Sequence, residues 1–272
     1  MGTLWNTYAF YVLYANIDAF DPTKHTLDYK RLPVMDRWVF SRLNTMVRTV
    51  DDCLTGYRVT EAAKALQSFV EELSNWYVRR SRSRFWAKGM GEDKVDAYLT
   101  LYTALVTTVK AAAPMVPFIT ESIYRNLVCS VDKTAPISVH LADFPTVNET
   151  LIDPQLEENM EIVRAVVTLG RAARNAANIK NRQPVARMFV KAEHTLPEFF
   201  VEIIEDELNV KAVTFRDDMS DFLAYHVKPN FHVLGPKVGK QMGAVKKALQ
   251  ESDGAAVKDA LAGGGSYTLH LA

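Results

Sequence analysis

The sequence predicts a mainly α protein: a helical bundle over residues 1–150, followed by a small, truncated α+β domain over 151–272. Three observations carry that prediction. Apolar residues recur at spacings of three and four in successive stretches between residues 34 and 127, the period of one-sided helices. After residue 150, helical stretches alternate with short β-branched runs, the order expected of an α+β domain. The composition, 48% hydrophobic and 24% charged over 272 residues, is that of a soluble chain with room for one large or two smaller domains.

Residues 4–17 read as a helix that is aromatic on several sides, suited to packing between other segments or against a missing neighbour. A polar loop with Pro22 follows. From Val34 to Leu54, Met35, Val39, Leu43, Met46 and Val50 form one apolar stripe, and Gly56-Tyr57 makes the turn. A third helix, 59–85, carries Ala62, Leu66, Phe69, Leu73 and Trp76 at alternating spacings of four and three, a bundle seam. After Gly89-Met90-Gly91, Val95, Leu99, Tyr102, Val106 and Val109 stripe a fourth helix. Pro114 and Pro117 interrupt it, and Pro117 opens a fifth with Ile119, Ile123 and Leu127. Residues 130–150 are loop-like, with a short extended piece at Ser138–Leu141.

The second part begins with a helix at 154–177. Strands are expected at Val185–Ala192, Val210–Phe215, Phe222–Val227 and Tyr267–Leu271, with helices at 197–207 and 239–250. The chain ends on an expected strand, as a truncated last domain would.

Thirty-two basic residues balance thirty-two acidic ones. Coating of nucleic acid by bulk charge is excluded, so any anion site must be a local patch. Cys53 and Cys129 form no CxxC pair, which points to a reducing compartment without disulfides or structural zinc. The N-terminal stretch lacks the basic start of a secretory signal and is too short and polar to span a bilayer, so a cytoplasmic location is expected.

Asn75–Trp86, NWYVRRSRSRFW, is the one local patch of note. Arg79, Arg80, Arg82 and Arg84 lie among Trp76, Tyr77, Phe85 and Trp86, with Lys88 beyond and no acid between. Guanidinium groups beside aromatic faces suit a polyanion that also carries flat bases. One or two cations at a helix C-terminus would answer the helix dipole; four exceed that need. Trp76 continues the apolar stripe and is expected in the core, whereas Trp86 is expected to be exposed. A second basic stretch, Arg171, Arg174, Lys180 and Arg182, is the weaker RNA candidate because it also reads as a cationic helix end.

Other motifs carry less. Gly235-Pro236-Lys237-Val238-Gly239-Lys240 has three residues between its glycines where a phosphate loop needs four, and Gln241 where that loop needs Ser or Thr. The six histidines have no ligand spacing, and neither a serine elbow nor a distinguished carboxylate pair is present. No catalytic residue and no metal ligand is assigned.

Several strings in order resemble isoleucyl-tRNA synthetases, class Ia aminoacyl-tRNA synthetases, in the region after the catalytic core. They are LWNTYAFYV at 4–12, LPVMDRWVFSRLN at 32–44, LSNWYVRRSRSRFW at 73–86, SVHLADFP at 138–145, NIKNRQPV at 178–185 and VKPNF at 227–231. Valine and leucine synthetases share such a bundle, and the arginine string after Asn-Trp-Tyr looks like the isoleucine branch. The resemblance implies an anticodon-binding helical bundle with a partial C-terminal domain, and isoleucine tRNA as partner. By the same resemblance, Trp86 would be a stacking platform for the anticodon loop with Trp5 or Asn6 across from it. Arg79, Arg80, Arg82, Arg84 and Lys88 would hold phosphates. The family's His-Ile-Gly-His and Lys-Met-Ser-Lys-Ser signatures do not occur. No cofactor is therefore expected in this segment, ATP and magnesium belonging to the full-length enzyme. A monomer without DNA or membrane partners is expected. A helical protein-interaction module is the alternative, since aromatics and arginines also make protein hot spots.

Overall fold

The computed structural model describes residues 1–192, 195–218 and 225–269, and the chain divides into compact units Met1–Ala165 and Val166–Ala272. The first unit is a helical bundle: α1 (Gly2–Ile17), α2 (Val34–Thr55), α3 (Val59–Glu72), α4 (Arg79–Trp86), α5 (Glu92–Ala112) and α6 (Pro117–Leu127). The division falls within α7 (Pro154–Ala176).

The core explains the order. On α2, Val39, Leu43, Met46 and Val50 are buried as the stripe requires. α5 differs from its expected one-sided pattern. Val95, Tyr102 and Val106 are only half-buried, while Ala97, Leu101, Ala104, Leu105 and Ala111 of the other faces are fully buried. The helix is central, packed by α1, α2, α3, α4 and α6. Alanine and threonine let neighbours approach from every side, and Thr108 hides its hydroxyl on the Ala104 carbonyl at 2.6 Å. Small residues carry little hydrophobic signal, so the amphipathic reading picked out only one of the buried faces.

The expected helix over 59–85 is continuous but not uniformly α. Residues Leu73–Val78 form a π-helical segment between α3 and α4. Its wider turn advances the buried face by one residue. Tyr77, with no exposed surface, takes the core place expected of Trp76, which is half-buried.

Charge closes the bundle. Buried Glu72 meets Arg42 at 2.9 Å and Arg164 at 2.8 Å, and Arg42 also reaches Glu157 at 2.9 Å. These bonds tie α2 and α3 to the first turns of α7. Burial alone would lower the Arg42 pKa, but Glu72 and Glu157 raise it above the ordinary arginine value. At 138–141, a 3₁₀ turn (Val139–Leu141) replaces the expected extended piece. Ser138 Oγ accepts from the His140 N–H and Glu121 accepts from the Val139 N–H at 2.9 Å, closing the chain locally.

In the second unit, β1 (Met188–Lys191) and β2 (Val213–Arg216) pair in parallel, Met188 opposite Val213, with α8 (Glu198–Leu208) as the crossover. Two helices were not expected, α9 (Phe231–Val238) and α11 (Gly254–Leu261), and α10 (Met242–Glu251) lies between them. Asn230 and Asp253 each cap the following helix with a side-chain oxygen. Of the expected strand 222–227, residues 225–227 are irregular, as are 267–269 of the last one; the rest of both lies outside the described residues. Among the described residues no helix is long and apolar enough to cross a membrane.

Candidate nucleic-acid interface

α4 sorts its side chains sharply. Ser81 and Phe85 are buried, whereas Arg79, Arg82 and Trp86, at spacings of three and four, share the exposed face. Phe85 anchors the helix in an aromatic cluster, edge-on to Phe10 at 5.1 Å and to Tyr98 at 4.9 Å.

Arg84 is not on the exposed face, which corrects the phosphate role expected of it. Its Nη1 lies 2.7 Å from Asp36 Oδ2, and its Nη2 lies 2.9 Å from Asp93 Oδ1. Asp36 has no exposed surface, and the Tyr77 hydroxyl donates to its other oxygen at 2.6 Å. Burial and the Asp36 charge push the Tyr77 pKa well above the ordinary phenol value. Burial would lower the Arg84 pKa, yet Tyr77, Asp36 and Asp93 hold it above the usual value. Arg84 is thus a structural cation that fastens α4 to the N-terminal turns of α2 and α5.

Trp86 is 59% exposed, and its indole Nε1–H donates to the Tyr14 hydroxyl at 2.6 Å. The ring is therefore held in one orientation while most of it faces water. Tyr14 was not foreseen in this role. Trp5 and Asn6 are exposed but lie nine and eight residues before Tyr14 on α1, about 12–14 Å along the axis. Trp5 packs on Tyr8 at 5.0 Å. After α4, Gly89 turns the chain at φ +75°, a conformation natural to glycine. Buried Lys94 donates to the Ala87 carbonyl at 2.9 Å and pairs with Asp18 at 2.7 Å. It is spent on holding the helix end.

The remaining cations differ in freedom. Arg79 bonds the Asn75 carbonyl at 2.9 Å and lies 6.0 Å over the Trp76 ring. Arg80 is half-buried. Arg82 and Lys88 are exposed and meet no carboxylate among the described residues. In the second unit, Arg174 is buried and donates to the carbonyls of Lys180, at 2.6 Å, and Gln183. Arg171 pairs with Glu207 at 2.7 Å. Of that stretch, Lys180 and Arg182 stay outward and exposed, so Arg171 and Arg174 serve the fold.

The face of α4 thus presents one fixed aromatic ring with arginines on the same side. Residues 36–190 match the anticodon-binding domain of tRNA ligases. The chain is 49% identical over 93% of its length to an isoleucine–tRNA ligase of Clostridium novyi, 46% over 92% to isoleucine–tRNA ligase 2 of Bacillus cereus, and 41% over 99% to that of Bacteroides fragilis. It spans about a quarter of the length of these relatives, 24% in each case.

Proposed function

Because this chain belongs to the anticodon-binding domain family of tRNA ligases, we propose that its α4 face binds the anticodon stem-loop of isoleucine tRNA. The observation that carries the reading is Trp86, an exposed ring fixed by Tyr14, on the same helical face as Arg79 and Arg82. Such a ring stacks on a base, and cations that keep their charge toward solvent take the neighbouring phosphates. Arg80 and Lys88 flank that face. Arg84 shapes it from beneath.

Attachment of isoleucine to tRNA, with ATP and magnesium, is the activity we assign to the full-length protein. The signatures that would supply it are absent from this segment, so the segment orients tRNA without reacting with it. Binding of labelled isoleucine, valine and leucine tRNA transcripts at two salt concentrations tests the reading. Salt-sensitive binding that favours the isoleucine transcript supports it. Failure to bind any tRNA, with the helical fold intact by circular dichroism, overturns it in favour of a protein-interaction module. Equal binding of the three transcripts would leave tRNA binding and remove the isoleucine assignment.

A further inference from the structure

A second feature lies at the same end of the bundle. A cleft of about 410 Å³ opens between residues 29–32, the first two turns of α2 and the segment 148–156. Its size falls within the range of small-ligand sites. Its wall is aromatic: Tyr29, 39% exposed, stands edge-on to buried Phe40 at 5.0 Å. Leu32, Leu151 and Leu156 make the floor apolar.

Two cations, Lys30 and Arg37, line the same cleft and are exposed. Neither meets a carboxylate among the described ion pairs, whereas adjacent Arg31 is held by Asp96 at 2.8 Å and Glu92 at 3.2 Å. Asn148 uses its carbonyl oxygen on Thr150, at 2.6 Å to the hydroxyl, which leaves its amide N–H groups as donors. Asp153 is the one acid in the lining. It accepts from the Leu156 N–H at 3.0 Å, so its charge sits at the N-terminus of α7, where the positive end of the helix dipole offsets it.

An apolar floor, an aromatic edge, an amide donor and two unspent cations match a flat heteroaromatic ring joined to a phosphate. Asp36, which precedes Arg37, is the residue that binds Arg84 of α4. That ion pair ties α2, which lines the cleft, to α4, which carries Trp86. Building on the tRNA reading above, we propose that this cleft receives one nucleotide of the bound tRNA turned out of its stack, its base against Tyr29 and its phosphate on Arg37 and Lys30.

The test compares the affinity and salt dependence of tRNA binding by the intact chain and its variants. Arg37→Ala removes a guanidinium with no described partner, so the fold should hold. Affinity should fall about five- to tenfold, and the salt slope should lose about one ion. Tyr29→Leu should weaken binding about tenfold with a smaller change in slope. Lys64→Ala, an exposed cation near the opposite end of α2, should change affinity less than twofold. Addition of AMP, CMP, GMP or UMP should move the NMR signals of Tyr29 and Asn148 where ribose 5-phosphate does not. Wild-type affinity in both cleft variants, alongside a loss in Trp86→Ala, overturns the cleft and leaves the tRNA reading standing. Equal losses from Lys64→Ala and Arg37→Ala mean bulk charge and also overturn it. A wild-type chain that binds no tRNA removes both proposals.

Discussion

Replacing Arg84 and replacing Arg82 should have opposite consequences, although the two lie in one basic string. Arg84→Ala removes the 2.7 Å ion pair of Asp36 and leaves that carboxylate buried without a cation; the Arg84–Asp93 contact is lost as well. The side chains are 15% and 0% exposed, so solvent cannot screen the loss. Breaking such a pair from one side costs about 3–5 kcal/mol. That is a large part of the roughly 5–15 kcal/mol that stabilises a typical domain. With a urea m-value of about 2–3 kcal/mol/M, the unfolding midpoint should drop by about 1–2 M. Adding Asp36→Asn to Arg84→Met should recover part of this, because the stranded charge is gone while an acceptor for Tyr77 remains. Arg82→Ala should move stability by less than about 0.5 kcal/mol. It should instead weaken tRNA binding and lower the salt slope by about one ion. Urea titrations followed by circular dichroism, with tRNA binding measured on the folded fraction, separate the two. If Arg84→Ala unfolded like wild type and reduced the salt slope as Arg82→Ala does, the assignment of Arg84 to the fold would be wrong.

Other outcomes follow from the same geometry. Trp86→Ala should weaken tRNA binding by about one to two decades, from the roughly 1–3 kcal/mol of a base stack. Tyr14→Phe should have a smaller effect in the same direction, since it removes only the acceptor that holds the indole. Unchanged affinity in the folded Trp86→Ala protein would dismiss the platform. Burial raises the pKa of Tyr11, Tyr77 and Tyr98, and raises that of Tyr102 to about 12. Above pH 10 the unfolded chain loses these protons while the folded chain keeps them. Their contribution to stability is thus full below pH 10 and declines as pH rises, by up to about 1.4 kcal/mol per unit for each group. Complete phenolate absorbance near pH 10 with helicity retained would refute this. Finally, the pure chain should catalyse no isoleucine-dependent exchange of pyrophosphate into ATP, because orientation without reacting groups gives no rate. Exchange above that of a Trp86→Ala control would expose a site that is not recognised in the sequence.

Legibility in the sequence tracked the strength of local signals. The ends of α2, α6 and α8 follow from apolar period and from proline at or just before the first turn, so they agree with expectation within a residue or two. α9 and α11 went unread because glycine, proline and alanine dilute their pattern, and because side-chain caps at Asn230 and Asp253 set their starts. In the site, cluster and exposure could be read, but the pairing could not. Asp36 is 48 residues from Arg84 and Tyr14 is 72 from Trp86, so neither contact leaves a local trace.

The arrangement of α4 turns on the π-helical segment before it. Ala62, Leu66, Phe69 and Leu73 set a buried face, and an uninterrupted period of 3.6 would carry that face through Arg80 and Arg84 to Ala87. Phe85 would then point to water and Arg80 into the core. The extra residue accommodated over Leu73–Val78 moves the face to Tyr77, Ser81 and Phe85. Arg80 is released toward the surface, and Arg84 stops at the edge of the core, where Asp36 can meet it. Deleting one residue within 74–76 should restore the regular period. It should keep Tyr77, Ser81 and Phe85 in phase with Leu73 on the buried face, so the Arg84–Asp36 pair, the cooperative unfolding transition and tRNA binding should all survive. A deletion variant that lost both the transition and tRNA binding would mean that the widened turn does more than absorb one extra residue.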